Sequence, residues 1–201
     1  MSCENEMNLY FREFVRAIEE VKCTGSSGEA LSRAEAYDRA LDLSLKATKR
    51  DNKLIFIGNG GSAAIASHMA IDFSKNGNMP AVCFNDGAAL TCLGNDFGYE
   101  EVFSRQLGFH ARPGDVLYAI SSSGRSPNIL RAVEAARRLD CHVVTMSGFR
   151  ADNPLRTMGE VNFHVALEEY GIVEVAHTAL IHAVVDLKIK RGLEACAYRA
   201  E

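Results

Sequence analysis

Four side chains able to bind a divalent cation or carry a proton stand at helical spacings in this chain: His68 and Asp72, four residues apart, and Glu174 and His182, eight apart. An imidazole and a carboxylate at positions i and i+4 share one helix face. Such a pair can chelate zinc, although the same spacing also arises as a plain surface contact. Glu174, His177 and His182 interrupt an otherwise apolar run that includes Ile172, Val173, Val175, Leu180, Ile181, Val184 and Val185. A helix apolar nearly all round is expected to be buried, and charged groups within it are costly unless paired or metal-bound. Glu174 and His182 would lie ~80° apart around the axis but ~12 Å apart along it. Two side chains of one copy would barely converge on a single ion, so a site shared between subunits is expected. His177, ~60° from Glu174, could face the same pocket or stand behind it. His110, His142 and His164 are isolated and read as structural or exposed.

A second set of residues suits anions. Leu54–Ile57 runs into Gly58-Asn59-Gly60-Gly61-Ser62, and Val116–Ile120 runs into Ser121-Ser122-Ser123-Gly124-Arg125-Ser126 before Pro127. A buried strand that turns sharply into a helix leaves the helix's first N–H groups free at the sheet's carboxyl edge. Glycine admits close approach to the backbone, and serine hydroxyls add donors. Four hydroxyls within six residues at the start of one helix would hold a phosphate, which also meets the positive end of the helix dipole. Tight turns alone explain either loop taken singly; the pair points to a phosphorylated or polyhydroxylated small molecule. The lysine of a nucleotide P-loop and the GxGxxG dinucleotide spacing are both missing.

The elements that must present these residues alternate in type. Apolar residues at helical spacing (Met7, Phe11, Phe14, Val15, Ile18, Val21) predict a first helix, interrupted at Thr24–Gly28, and Leu31–Leu45 predicts a second. Strands are expected at 54–57, 81–84, 116–120, 142–146 and 161–167, with helices between them and a last helix from about 172 to 191. Ser126-Pro127 reads as a capped helix start. The expected fold class is α/β: a doubly wound five-stranded parallel sheet with helices on both faces, plus N-terminal helices. Ligands of such folds sit outside the carboxyl ends of the strands. A single domain over residues 1–201 is expected, with residues 1–50 as a helical segment packing on the core and on partner subunits.

Composition agrees. The chain has 201 residues, 47% of them hydrophobic, and a net charge of −4 with no basic block, which argues against nucleic acid as a partner. Six cysteines without a CxxC pair suit a reducing, cytoplasmic setting. The first residues, Met1 to Glu6, do not resemble a signal peptide, and no 18-residue apolar span suggests a membrane crossing.

Gly58–Ala64, His68 with Asp72, Leu93–Tyr99, Ser121–Asn128 and Glu174 through His182 together resemble the sugar isomerase (SIS) domain. Within it they are most similar to the bacterial phosphoheptose isomerases, and the resemblance runs over almost the whole chain. It implies a cytoplasmic homotetramer with zinc between subunits, one ion per subunit. The activity it implies converts sedoheptulose 7-phosphate to D-glycero-D-manno-heptose 7-phosphate, a precursor of bacterial surface polysaccharide such as lipopolysaccharide. By position, Asn59, Gly60, Gly61, Ser62, Asp72, Asn95, Asp96, Ser121, Ser122, Ser123, Ser126 and Glu174 would bind substrate. His68, Asp72, Glu174 and His182 would match the metal ligands, and Asp72 and His182 the acid/base pair.

Two positions depart from the family, which usually carries glutamate where Asp72 stands and glutamine where Glu174 stands. Aspartate is one methylene shorter; Glu174 adds a negative charge that would strengthen cation binding. Relatives of this branch also include non-catalytic modules that bind sugar phosphates or a replication initiator, and isomerases of other phosphorylated sugars. Retention of two histidines and two carboxylates at the metal positions favours catalysis.

Overall fold

The computed structural model describes residues 2–195. Along the chain it forms α1 (Cys3–Glu19), β1 (Lys22–Gly25), β2 (Ala30–Leu31), α2 (Arg33–Lys49), β3 (Leu54–Ile57), α3 (Gly61–Lys75) and β4 (Ala81–Cys83). These are followed by α4 (Gly87–Phe97), α5 (Val102–His110), β5 (Val116–Ser121), α6 (Pro127–Arg138), β6 (His142–Gly148), β7 (Val161–Val165) and α7 (Tyr170–Lys190). Short 3₁₀ turns precede α5 and β7.

The strand order is β2-β1-β7-β6-β5-β3-β4. The five strands from β7 to β4 are parallel, as expected from the alternation of strands and helices. The sheet is wider than that expectation by an antiparallel hairpin, β1–β2, which joins the β7 edge. Thr24–Gly28, expected only to break a helix, is therefore the end and turn of this hairpin. Its strands of four and two residues are too short to display a two-residue period.

Successive strand residues point to opposite faces, and the two faces carry separate cores. Leu54, Phe56, Val116, Tyr118, Val144 and Phe163 pack against α2, α3 and α7. Ile55, Ile57, Leu117, Ala119 and Val143 pack against the face that α4, α5 and α6 cover. The fully buried Tyr118 hydroxyl is satisfied by Ser44 of α2 at 2.8 Å. On α1 only Ala17 is buried; Met7, Tyr10, Phe11 and Val15 lie exposed on this single chain.

α7 is less enclosed than its composition suggests. Ile172, Val173, His177, Leu180, Ile181 and Val184 are buried, whereas Val175 and Ile189 face outward. No described helix is long and apolar enough to cross a membrane.

Candidate active site

Both loops form at the carboxyl edge of the parallel sheet. β3 is buried over all four residues, and Gly60, at φ 53° and ψ −122°, turns the chain into α3. Gly58 cannot be replaced without collision, because a Cβ there would lie 2.5 Å from the Ser62 backbone. From β5 the chain turns through Ser121–Ser126, with Gly124 at φ +61°. Ser126 stands at the start of α6 but makes no side-chain cap bond. Its hydroxyl faces Ser121 Oγ at 3.3 Å, so it lines the loop where the sequence suggested a cap.

The two loops are fastened together by a reciprocal amide pair. Asn59 Nδ2 donates to Asn128 Oδ1 at 2.9 Å, and Asn128 Nδ2 donates back to Asn59 Oδ1 at 2.8 Å. Tyr99 Oη donates to the same Asn59 oxygen at 3.1 Å. Asn128 and Tyr99 had no assigned role in the sequence; the first-turn position of Asn128, directly after Pro127, was the available signal.

A cavity of about 130 Å³ lies between the loops, lined by Asn59, Ser62, Ser121, Ser122, Ser123, Ser126, Tyr170 and Glu174. The Ser122 hydroxyl is buried there without a hydrogen-bond partner in the described structure, which leaves it available to a ligand oxygen. Asn59 and Ser126 also line an adjoining cavity of about 520 Å³, with Tyr99, Glu100 and Arg131 on its far side. Tyr170 forms the lip of the serine pocket and meets Phe149 edge to face at 4.8 Å. Phe149 adopts φ +57°, an uncommon conformation for an aromatic residue.

α3 and α7 run side by side in the same direction. A Cβ on Gly61 would touch the Glu174 carboxylate, and one on Gly77 would lie 3.0 Å from Val185. This alignment brings His182 to His68 and Asp72. His68 Nε2 lies 3.1 Å from His182 Nε2, and Asp72 Oδ2 lies 3.3 Å from His182 Nδ1 and 3.9 Å from His68 Nε2. One donor atom from each of the three residues falls within 4.8 Å of the others, the one such cluster among the described residues.

Glu174 stands apart from that cluster, at the first turn of α3 and inside the serine cavity. Within one chain it is therefore a lining carboxylate of the anion pocket and does not share an ion with His68, Asp72 and His182. Asn95 and Asp96 are exposed at the end of α4, bonded to each other at 2.9 Å, and line neither cavity. Gly60 shapes the loop and Gly61 carries the Glu174 contact.

His164 and His177 each take one of the alternatives left open for them: His164 is structural, and His177 stands behind the pocket. His177 is fully buried, with Nε2 2.9 Å from the Ser147 carbonyl oxygen. Burial pushes its pKa down to about 4, partly opposed by that bond. His164, buried in β7, meets Ser147 Oγ at 3.2 Å and is likewise pushed down to about 4, chiefly by burial and then by Arg156. His142 pairs with Glu160 at 2.9 Å on the surface, and His110 ends α5.

The profile of the SIS domain matches residues 13–148. The chain belongs to the SIS domain family. Phosphoheptose isomerase of Helicobacter hepaticus is 34% identical to this SIS protein over 168 residues, 81% of the present chain and 85% of the relative. That of Bordetella avium is 34% identical over 194 residues, 92% and 94% of the two chains. The solved structure of phosphoheptose isomerase from Neisseria gonorrhoeae superposes with a TM-score of 0.80 at 34% identity, covering 92% of this chain and 99% of that one.

Proposed function

We propose that this SIS protein is a phosphoheptose isomerase, an aldose–ketose isomerase that interconverts sedoheptulose 7-phosphate and D-glycero-D-manno-heptose 7-phosphate. The observation that carries this reading is the convergence of His68, Asp72 and His182 beside a serine-lined anion pocket, in a chain about one-third identical to named phosphoheptose isomerases over most of its length.

The phosphate is held at Ser121–Ser126, where hydroxyls, the first N–H groups of α6 and the helix dipole converge. That remote binding energy positions the reacting carbons. The donor set also suits zinc: one ligand atom each from His68, Asp72 and His182 lies within 4.8 Å of the others, so modest side-chain rotation brings them to the ~3.4 Å separation that ligands ~2.1 Å from one tetrahedral ion require. An ion held by His68, Asp72 and His182 would polarise the substrate carbonyl and stabilise negative charge on the enediolate oxygens.

Asp72 removes a proton from C1 of the ketose, the C1–C2 double bond forms, and His182 returns a proton to C2; the reverse reaction exchanges the roles. The hydroxyl proton at O1 is released as the aldehyde forms, and O2 gains one. Glu174 lies between the phosphate loop and the cluster and accepts hydrogen bonds from sugar hydroxyls. Exposed apolar residues on α1, and Val175 on α7, support a homo-oligomer, read as a tetramer, with α1 on partner subunits. A second subunit would also supply what Glu174 alone cannot reach. We place the protein in the cytoplasm, as suits a sugar-phosphate substrate.

The test is incubation with sedoheptulose 7-phosphate, followed by NMR, with and without chelator. Formation of the aldose that stops on chelation and returns with zinc is the expected result. Absence of turnover on sedoheptulose 7-phosphate overturns the proposal.

A further inference from the structure

We infer that His177, which the reaction above does not use, is a positioning residue: its bond to the end of β6 fixes α7, and with it His182, relative to the serine loop. This rests on the isomerase reading of the site.

Apolar packing buries α7 here but is not directional, whereas a hydrogen bond fixes the helix's rotation. His177 has no exposed surface and faces inward from α7 among Val173, Ala176 and Ile181. Its one polar contact is to a backbone oxygen, that of Ser147 at 2.9 Å. A carbonyl oxygen only accepts, so the proton resides on Nε2 and Nδ1 is left as a lone pair without a partner in the described structure. A polar group buried with a single bond depends on that bond for its placement, because any rotation of the helix that breaks it leaves the buried imidazole without a partner.

The strand end gripped by this bond is the one that supports the phosphate loop. Ser147 is followed by Gly148, where a Cβ would come within 3.0 Å of the Ser122 oxygen and 2.6 Å of Val173 Cγ1. Asn153 Nδ2 donates to Gly148 O at 3.2 Å, and Asn153 Oδ1 lies so near Gly124 that a Cβ there would be 2.0 Å away. The β6 terminus therefore touches the serine loop on one side and α7 on the other. His177 stands between Glu174, one turn earlier, and His182, slightly more than one turn later. A change in the rotation of α7 moves both, while the serines, carried on β5 and α6, stay in place.

Steady-state kinetics of two variants test this. His177→Leu removes the donor and keeps an apolar side chain; His177→Gln keeps an N–H near the position of Nε2. In His177→Leu kcat should fall at least about tenfold, since an ångström of misplacement costs that much or more. Inhibition by inorganic phosphate should stay within about twofold, because the serines that bind it are carried on β5 and α6, while any rise in KM for sedoheptulose 7-phosphate reports the displacement of Glu174. His177→Gln should recover kcat to within about threefold of wild type. If His177→Leu does not fold, His177→Gln decides, and loss of its kcat in a folded protein overturns the inference.

Wild-type kcat in His177→Leu also overturns it, as does an equal loss of kcat and phosphate affinity in both variants. Independently, the ring ¹⁵N spectrum of the wild type should show the His177 signal, identified by its absence in His177→Gln, as the Nε2–H tautomer; the Nδ1–H tautomer overturns the inference. An unmutated protein without turnover refutes the isomerase reading itself, a different result from an active wild type indifferent to His177.

Discussion

The serine cradle and the histidine–carboxylate cluster are neighbours on the same pair of loops and helices, but they are made of different materials. The cradle is assembled from strand ends, backbone turns and short neutral side chains, buried or half-buried and cross-tied by the Asn59–Asn128 pair. The cluster stands on the outer turns of α3 and α7, with side-chain exposures of 53% for His68, 32% for His182 and 18% for Asp72. On the proposed reading, recognition would be built into the fold, where the sheet determines geometry, whereas chemistry would depend on how two helices lie against each other. Losses in the cradle should appear in substrate affinity, and losses in the cluster in turnover.

The sharpest way to break this division is to mutate the cluster and watch affinity. Asp72→Asn and His182→Ala should each lower kcat at least about 10³-fold, the upper range for a missing proton carrier. Binding of sedoheptulose 7-phosphate, followed by calorimetry, should change little in both. Wild-type kcat in either variant removes that residue from the proton path. A parallel collapse of binding would mean that the two regions are not separable.

A smaller effect concerns the floor beneath both regions, where His164 and His177 approach Ser147 from two sides. Burial holds both imidazoles neutral, with pKa values near 4 against an ordinary 6.5. Below pH 6.5 the unfolded chain takes up these protons before the folded one does. Stability is therefore fully present above pH 6.5 and declines as pH falls toward 4, by about 3 kcal/mol per histidine. Urea midpoints measured from pH 7.5 to 4.5 should fall steeply below 6.5, and replacing His164 with glutamine should flatten the slope. A midpoint independent of pH over that range excludes buried neutral imidazoles as the cause.

The two loops differ in how tightly their glycines are held, and that too is measurable. Gly124 and Gly60 both adopt positive φ, +61° and +53°, but a Cβ on Gly124 would strike Asn153 whereas one on Gly60 meets nothing within 4 Å. Gly124→Ala should cost about 2–3 kcal/mol, combining backbone strain with displacement of Asn153. It should also raise KM more than it lowers kcat. Gly60→Ala should cost about 1–3 kcal/mol from the backbone alone, because φ 53° with ψ −122° is a combination that favours glycine. An unchanged KM in Gly124→Ala would show that Asn153 yields freely and that the cradle is softer than its contacts imply.

The sequence displayed these two regions unequally. β3 and β5 were legible because a strand covered on both faces reads as an unbroken apolar run, and the glycines and serines at their ends marked the turns. His68 and Asp72 shared a face by spacing alone. The separation of Glu174 from His182 was equally legible, since eight residues of helix carry the two ~12 Å apart. The approach of His182 to His68 was not, because it follows from α7 lying parallel to α3 across 114 residues of chain. The Asn59–Asn128 clasp joins residues 69 apart, and the β1–β2 hairpin is too short for any periodicity. Asn95 and Asp96 lie exposed away from the cradle in this chain, which local sequence cannot foresee.

The smallest effect should come from the one cation on the serine loop. Arg125 is half exposed and pairs with Asp152 at 3.0 Å, itself bonded to Arg150, all at the rim. Exposed ion pairs contribute about 0–1 kcal/mol, since water screens the charges and long side chains resist being fixed. Arg125 lines neither cavity, so on the proposed reading phosphate capture would rest on hydroxyls, N–H groups and the α6 dipole. Arg125→Ala should therefore leave stability within about 1 kcal/mol of wild type and KM within about threefold at 0.15 M salt. A rise in KM beyond tenfold would place the guanidinium on the phosphate after all, and the cradle would then depend on a mobile rim charge as much as on the sheet edge.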